Sequence, residues 1–314
     1  MMQMIKLTQL PALLLVVLLS GLGPVACGEG SSGFDYSKPD AIVVAIHTAV
    51  KEDKPILVWN GLPSAWRTDI NGLIREFGSK VDEKAYDSVM KTARLAVGIL
   101  ADKKTFILNS AMGQMFMQGM QQSLGEQVEL VTENYDLIVT MLKTVVESDL
   151  GTAEGLKRCD LGLLIGKYGP ELMRLNKAVA DLDLPGSEMK ELREALASAE
   201  GMTAKVDSMT GDEATITLIM PGRPDQPTQM KKVGNRWVPA GMAAQMPMMM
   251  AMAKSELAGM DMTELNDSLK LAQAMLPMVD KAMEPLEAAK TQEEFDQGVM
   301  QMMMMMGTAM QSQE

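Results

Sequence analysis

The fold is decided by residues 201–241, which have the sequence GMTAKVDSMTGDEATITLIMPGRPDQPTQMKKVGNRWVPAG. Over residues 213–220 apolar and polar side chains alternate, which is the two-residue period of a β-strand with one face in a core. Residues 202–207 alternate in the same way, and Thr210-Gly211-Asp212 between the two runs suits a short hairpin connection. The pattern therefore predicts an antiparallel pair of strands whose core-facing side chains are Met202, Ala204, Val206, Ala214, Ile216, Leu218 and Met220.

Two further strands are predicted after a proline-rich loop. Residues 221–227 contain three prolines, which lack the N–H that a ladder hydrogen bond needs, so we expect a break in the sheet there. A third strand is predicted at residues 228–233, and Gly234-Asn235 offers a tight turn into a fourth strand at residues 236–238. The four strands are expected in up-and-down order, with Trp237 of the last strand buried as the anchor of the sheet.

The segments on both sides of this sheet are predicted to be helical, and they supply the cover that the apolar face of a small sheet needs. Apolar residues recur there with helical spacing, at residues 41–50, 64–77, 80–100, 128–145, 177–182, 187–199 and 262–286. The predicted fold class is α+β, predominantly helical, with a small four-stranded antiparallel meander covered by helices. The predicted organisation is a signal peptide at 1–26, a flexible tether at 27–33, a helical region at 34–150, helices with the meander at 151–241, and a Met-rich helical tail at 242–314.

Three parts of the helical region carry more specific expectations. Residues 59–64 are interpreted as a turn, in which replacement of Trp59 by Ala should cost less stability than replacement of Trp237. An apolar stripe on one long helix is predicted to face the core, and it consists of Val128, Val131, Tyr135, Ile138, Leu142 and Val145. Pro277 and Pro285 interrupt the stripe at 262–286, so we expect a kinked helix or two helices packed on the sheet domain.

The end of the chain has a helix-start signal. Thr291-Gln292-Glu293-Glu294 matches a capping box, in which a Thr and a Glu three residues later satisfy backbone N–H groups at a helix start. A last short helix is predicted after it. Residues 300–314 carry little charge and no stop signal, so weak order is expected there.

The start of the chain has the pattern of a signal peptide. Residues 1–9 carry one Lys and no acid, residues 10–23 are apolar, and Cys27 follows at once, which is the order of a basic region, a hydrophobic region and a cleavage region. The apolar run is shorter than the roughly 20 residues of a membrane-spanning helix. The motif Pro24-Val25-Ala26-Cys27 resembles the lipobox of bacterial lipoproteins and differs from it at Pro24, where that motif has Leu.

This resemblance implies that Cys27 is lipidated and anchors the protein to a membrane of the cell envelope. Gly28 after the cysteine is similar to the choice that sorts lipoproteins to the outer membrane, facing the periplasm. Residues 28–33 are rich in Gly and Ser, as in a flexible tether. The alternative is ordinary signal cleavage, with Ala26-Cys27-Gly28 as the site.

Two further resemblances concern the folded part. Through Lys231, Lys232, Gly234 and Trp237, residues 201–241 resemble the C-terminal sheet of small secreted bacterial domains of the NTF2-like or lumazine-binding-like kind. That resemblance implies a long curved sheet around a pocket, whereas only four short strands are predicted here. Trp59-Asn60-Gly61-Leu62-Pro63 and Asp69-Ile70-Asn71-Gly72-Leu73 are similar to N-terminal regions of uncharacterised bacterial envelope proteins, to which no activity is attached.

Charge and composition disfavour several classes of function. The formal net charge is −12, which disfavours binding to nucleic acid or to anionic lipid, because both depend on Lys and Arg. His47 is the sole histidine, and with Cys159 it is too little for a zinc site or a nucleophilic triad. The sequence from Gly162 to Tyr168 looks briefly like a phosphate loop, but three residues separate its glycines and Tyr follows the Lys. We interpret it as small residues that allow close helix contact, and we predict no catalytic residue, metal ligand or cofactor.

Methionine is the remaining compositional feature. The chain has 33 methionines, with clusters at residues 246–252 and 302–306. Thioether sulfur is a ligand for Cu(I), but methionine also fills irregular gaps in cores. The sequence therefore favours a lipid-anchored periplasmic scaffold or binding protein without catalytic activity, with a protein partner in the envelope and no known ligand. The alternative is a carrier of a soft metal such as copper, or of a small ligand.

Overall fold

The structure, a computed structural model, describes residues 34–111, 113–115, 118, 132, 134–181 and 187–311. The predicted signal peptide, the tether with Cys27, and Val128 and Val131 of the helical stripe lie outside the described residues. The chain divides into two compact units, each assembled from separate stretches of sequence. Among the described residues, unit 1 comprises 34–79, 157–181 and 187–261, and unit 2 comprises 80–156 and 262–311.

The described helices and strands follow one another in an order that matches the predicted class. The first helices are α1 (Ala41–Lys51), α2 (Ile56–Gly61), α3 (Ser64–Lys80), α4 (Glu83–Asp102), α5 (Lys104–Asn109), α6 (Tyr135–Glu147), α7 (Ala153–Arg158), α8 (Leu161–Asp181) and α9 (Ser187–Glu200). The strands are β1 (Thr203–Thr210), β2 (Glu213–Ile219), β3 (Gln226–Val233) and β4 (Arg236–Pro239), and the last helices are α10 (Ala240–Gly259), α11 (Met262–Ala288) and α12 (Gln292–Gln311). The prediction of a mainly helical α+β fold is confirmed.

The sheet of unit 1 is the predicted meander. Its strand order is β1-β2-β3-β4, and each neighbouring pair is antiparallel. Gly211 and Gly234 stand first in the two tight turns with φ of 60° and 61°, the left-handed backbone that glycine adopts most readily at this position of a hairpin. The meander therefore closes at the two points that the turn residues predicted.

The proline-rich loop is shorter than predicted. β3 begins at Gln226, so Pro227 lies in the strand opposite Thr217 instead of in the loop. β4 pairs with β3 only from Met230 to Val233, so β3 has an open edge at Pro227. A missing N–H is tolerated at such an edge.

One face of the sheet packs on the first two helices. A buried cluster joins Trp237 and the strand residues Ala214, Ile216 and Met230 to helix residues Ile42, Val43, Ala49 and Val58. Met202, Ala204 and Leu218 pack against it as predicted. The prediction is wrong for Val206, which is 38% exposed. β1 is an edge strand, and its ladder shifts register between Val206 and Ser208, so this end of the strand has less cover.

Trp237 is tied to the start of unit 1 as well as to its core. Its side chain is 3% exposed, and its indole Nε1 donates to the carbonyl oxygen of Ser37 at 2.9 Å. The neighbouring Arg236 donates from Nε to the carbonyl oxygen of Asn60 at 2.8 Å and lies over the ring of Tyr36 at 4.9 Å. The predicted burial of Trp237 is thus confirmed.

The predicted turn at residues 59–64 is wrong for Trp59. Residues 56–61 form helix α2, and Trp59 is 0% exposed. The chain leaves the helix at Leu62, which is extended and precedes Pro63. The Asn-Gly-Leu-Pro sequence is therefore a helix end, which shares its residue types with a turn.

Unit 2 is built on the contact of α4 with α11. Three polar side chains, spaced along α11, form hydrogen bonds to α4 or to its N-cap residue. Asn266 accepts from the Asp82 N–H at 2.7 Å, and Gln273 donates to Ser88 Oγ at 3.0 Å. Asp280 accepts from Thr92 Oγ1 at 2.6 Å. α11 runs as one helix through Pro277 and Pro285. The expected alternative of two helices is therefore wrong, and within unit 2 this helix packs on α4 and α12.

α12 starts at the predicted capping box. Thr291 Oγ1 accepts from the Glu294 N–H at 3.2 Å, and Glu294 Oε2 accepts from the N–H groups of Lys290 at 2.7 Å and Thr291 at 3.2 Å. The helix is not short, since it continues to Gln311. Phe295 and Val299 are buried beside Met283 and Leu286, and Met302 packs against them. Met302 is the one residue of the stretch 300–305 that packs against this cluster, and the expectation of weak order at residues 300–314 stays a prediction.

The residues of the predicted apolar stripe are not the buried residues of α6. Val139 and Val146 are its buried residues, while Leu142 and Val145 are exposed. Arg94 of α4 donates to the carbonyl oxygen of Val146 at 2.8 Å and Tyr135 donates to the carbonyl oxygen of Leu100 at 2.8 Å. α6 is apolar on more than one face, so periodicity alone did not decide which face is buried.

Candidate interaction surface

Methionine is the main exposed apolar residue of the described chain. Ten of its seventeen exposed large hydrophobic side chains are methionine, against four of its forty buried hydrophobic residues. Full burial in a core therefore accounts for few of the methionines whose exposure is known. Eight of the ten exposed ones lie on α10, α11 and α12.

The stripe on α11 combines one leucine with two methionines. Leu271, which is 68% exposed, is followed by exposed Met275 and Met278, a spacing of four and three residues that places them on one face. The other face of α11 buries Leu269 and Met283 and carries the polar contacts to α4. α11 is thus apolar on two faces, one of which is covered.

The acidic surroundings of this stripe are also exposed. Glu264 and Asp267 lie two turns and one turn before Leu271 on the same face of the helix and are exposed. Lys270 lies 3.7 Å from Asp267 and 3.9 Å from Asp82, so its charge is shared between two carboxylates. With a net charge of −12 over the chain, the surface around the stripe is suited to a partner that is basic at its edges.

A second stripe lies on α12. Met300, Met303 and Met304 are 56–63% exposed, and their spacing of three and one residues places them on one side of the helix. The opposite side holds buried Phe295 and Val299. This arrangement leaves three thioethers open to solvent beside one another.

The methionines of α10 are divided between two faces. Met246 and Leu257 are buried, whereas Met248, Met249 and Met252 are exposed. Met248 and Met252 are one turn apart, so two thioethers can reach one soft ion. Met249 is offset from Met248 by about 100° around the helix axis, so a third thioether on the same side does not follow from the helix geometry.

The residues considered for catalysis or zinc lie in structural positions. His47 is half-buried on α1, and its Nδ1 has no hydrogen-bond partner in the part of the chain that the structure describes. Cys159 is fully buried between α7 and α8, and its carbonyl oxygen accepts from Arg75 at 2.8 Å. Within the described ranges no three His, Cys, Asp or Glu side chains are grouped to hold a metal ion.

The stretch from Gly162 to Tyr168 lies inside α8, so it is a helix and not a phosphate-binding loop. The prediction that its small residues allow close helix contact does not hold for Gly166, which is exposed and where an added Cβ would lie 3.9 Å from Ile56. The close approach is at the following glycine, Gly169, where an added Cβ would lie 2.6 Å from Pro55. Helix α8 can approach the start of α2 this closely because Gly169 has no side chain.

Asp53 has a structural partner. It adopts a left-handed backbone with φ of 53° after α1, and its carboxylate accepts from Lys177 Nζ at 2.7 Å. Lys177 also donates to the carbonyl oxygen of Val50 at the end of α1. The pair therefore fixes a helix end to α8.

The two tyrosines whose pKa is raised also lie in structural positions. Burial, with a smaller contribution from Asp87, raises the pKa of Tyr86 to about 12, which keeps its hydroxyl as a donor to the carbonyl oxygen of Leu150 at 2.6 Å. Burial likewise raises the pKa of Tyr135. Both side chains stabilise unit 2, and neither lies in an exposed methionine stripe.

Sequence reasoning missed the outer stripe of α11, although a signal was present. Once Leu265, Leu269, Leu276 and Met283 are assigned to the core face, Leu271, Met275 and Met278 remain as a second set with helical spacing. The predicted lipidation site, Cys27, lies outside the described residues. None of the described helices has the length and apolar character that a membrane crossing requires. Comparisons of the chain with protein-family models, with curated proteins and with solved structures find no match.

Proposed function

We propose that the protein is a non-catalytic scaffold or binding protein of the cell envelope, anchored by lipid on Cys27 and facing the periplasm. The observation that carries the binding role is the uncovered stripe of Leu271, Met275 and Met278. Contiguous exposed apolar side chains on a helix are a feature of protein contact sites, and methionine is enriched in them.

The partner that fits this stripe is an amphipathic helix with basic residues at the edges of its apolar face. Three anchors over two helical turns are the spacing by which one helix recognises another. Glu264 and Asp267, which precede the stripe on the same face, favour positive charge on the partner. The contact should therefore weaken as ionic strength rises.

The binding role is tested by a photo-crosslinking residue placed at position 271 in cells. A discrete crosslinked protein is expected at position 271 and at position 275, and none at position 51, an exposed residue at the end of α1. Equal crosslinking at 271 and 51, or none at 271, would remove the support for a partner on α11. The captured protein must carry a basic amphipathic helix for the assignment to hold.

The membrane anchor is tested separately by Cys27→Ser. The variant should leave the membrane fraction or accumulate as the unprocessed precursor, since a thioether-linked lipid needs the thiol of Cys27. A variant that fractionates and migrates like the wild type would refute lipidation, and ordinary cleavage at Ala26-Cys27-Gly28 would then be the better explanation.

The alternative function, a carrier of soft metal or of a small ligand, is favoured by one observation, the pair Met248 and Met252 on one turn of α10. A titration of the purified protein with Cu(I) under reducing conditions tests it. Tight stoichiometric binding that is lost in Met248→Leu with Met252→Leu would favour the carrier over the scaffold.

A further inference from the structure

We propose that the exposed methionines are separate oxidation sites, at which two-electron oxidants such as hydrogen peroxide are taken up as methionine sulfoxide while the fold is kept. This inference is independent of any partner on α11, because it rests on the thioethers of α10 and α12. Met248 and Met252 represent the first helix, and Met300, Met303 and Met304 represent the second.

Packing does not explain these residues. A thioether is useful in a core because it bends into irregular gaps, but the side chains on α12 are more than half exposed. Further exposed methionines lie at Met115 and on β1 at Met209, so the set is spread over both units and over separate elements. A single contact face would gather them on one side of one element.

The chemistry requires only sulfur, oxidant and access. A sulfur lone pair attacks one oxygen of hydrogen peroxide, the S–O bond forms and the O–O bond breaks. The proton on the attacked oxygen moves to the departing oxygen, which leaves as water. Sulfur is oxidised by two electrons and the peroxide is reduced by two, so no metal, cofactor or further reductant is needed for this step.

Burial divides the methionines into two classes. Met173, Met230, Met246 and Met283 are at most 8% exposed, so peroxide reaches their sulfur atoms only when the surrounding structure opens. Met230 lies in the core cluster of unit 1 and Met283 in that of unit 2, where a polar sulfoxide would disrupt packing. At the exposed positions the new S=O dipole points into water and the helix keeps its buried face.

The experiment is a timed titration of the purified folded protein with hydrogen peroxide, with each methionine followed by peptide mass spectrometry. Met248, Met252, Met300, Met303 and Met304 should be oxidised at least about tenfold faster than Met230 and Met246, in line with opening-limited access to the buried class. After the fast phase the circular dichroism spectrum should be unchanged and the melting temperature within about 2 °C of its starting value. In urea all methionines should react alike, which shows that burial and not local chemistry sets the order.

A matched variant measures how much oxidant these residues consume. Replacing Met248, Met252, Met300, Met303 and Met304 with Leu preserves apolar side chains of similar size, and the fast phase should shrink by five peroxide equivalents per molecule. Equal rates for exposed and buried methionines in the folded wild type would overturn the proposal. So would loss of the native spectrum during the fast phase, because oxidation would then be damage rather than uptake.

Discussion

The two units bury their apolar faces by different means. The cluster of unit 1 joins strand residues to helix residues and includes one methionine, Met230. The cluster of unit 2 consists of Ile99, Met283, Leu286, Ala289, Phe295 and Val299, and it contains no strand residue. Backbone hydrogen bonds fix the register of neighbouring strands, whereas two packed helices share no such ladder.

Unit 2 compensates with polar contacts between its helices. The side chains of Asn266, Gln273 and Asp280 bond to α4 or its N-cap at three points along α11, and Lys103 donates to the carbonyl oxygen of Ala289 at 2.6 Å. These bonds help to fix the register of helices that no backbone ladder joins. The comparison indicates that backbone ladders set the register of the sheet in unit 1 and that side-chain hydrogen bonds help to set the register of α4 and α11 in unit 2.

The largest effect is expected at the tryptophans of unit 1. Trp237→Ala should lower the free energy of unfolding by about 3–5 kcal/mol, because a fully buried indole leaves a cavity. Trp59→Ala should cause a similar loss, since Trp59 is also fully buried. Denaturant melts measure both, and Trp237→Phe, which keeps a ring, is the milder control. A Trp237→Ala variant with nearly full stability would contradict the core role of Trp237 and would favour it as a contact for a partner.

The next effect is expected at the polar interface of unit 2. Thr92 is buried and its hydroxyl donates to Asp280, so Thr92→Val keeps the shape but removes the donor. A loss of about 1–3 kcal/mol is expected, the range for a buried polar group left without its partner. The control is Asp267→Asn on the exposed side of α11, which should change little. If both variants melt alike, this hydrogen bond does not help to set the register of α4 and α11.

A smaller effect is expected at the start of α12. Thr291→Ala removes the acceptor of the Glu294 N–H and should cost about 1 kcal/mol, the usual value for an N-cap. Urea melts monitored by circular dichroism measure the loss. Thr291→Ser, which keeps the hydroxyl, should retain most of the stability, and a loss as large as that of Thr291→Ala would show that the cap contributes nothing.

The start of α12 also makes the free energy of unfolding depend on pH. The N–H groups of Lys290, first, and of Thr291 lower the pKa of Glu294 below its ordinary value of 4.5. The stabilisation is therefore present above pH 4.5 and is lost as the pH falls through the lower pKa of the folded state, where the bound carboxylate takes a proton. Glu294→Gln should remove this part of the pH profile, and identical profiles for the two proteins would contradict the contact.

The smallest effect is expected on the outer face of α12. Met303→Gln should change the free energy of unfolding by less than about 0.5 kcal/mol, as for other exposed positions. Met283→Gln, at a buried position of α11, should be several times more destabilising. A large loss of stability in Met303→Gln would mean that the outer face of α12 is packed in solution. That face would then not be open to an oxidant or to a partner.

The sheet could be predicted from sequence because each local signal agreed. Alternation placed Ala214 and Ile216 on the core face, and Gly211 and Gly234 fixed the turns. Pro227 and Val206 departed from the prediction because their surroundings depend on where β4 ends and on the open edge of β1, which no local pattern encodes. The capping box at Thr291 was local and was predicted correctly.

The helical segments could be predicted as helices from the sequence, but the helices against which they pack could not. Leu142 and Val145 lie on an apolar stripe of α6, yet tertiary packing selected Val139 and Val146 for burial. The prolines of α11 suggested a break, while the contacts of Gln273 and Asp280 with α4 are invisible until both helices are in place. The sequence did not show that Leu271, Met275 and Met278 are exposed, because methionine occurs both in cores and in contact surfaces.

The hydrogen bond from Trp237 to Ser37 joins two residues that are synthesised at different times. A ribosome adds roughly 5–20 residues each second, so about 10–40 s separate the synthesis of these two residues. Helix α1, with Ile42 and Val43 on its apolar face, has no sheet to cover it during that interval. Residues 41–51 are thus made long before the sheet and are among the last to reach their native surroundings, and any factor that shields nascent apolar helices would act on them.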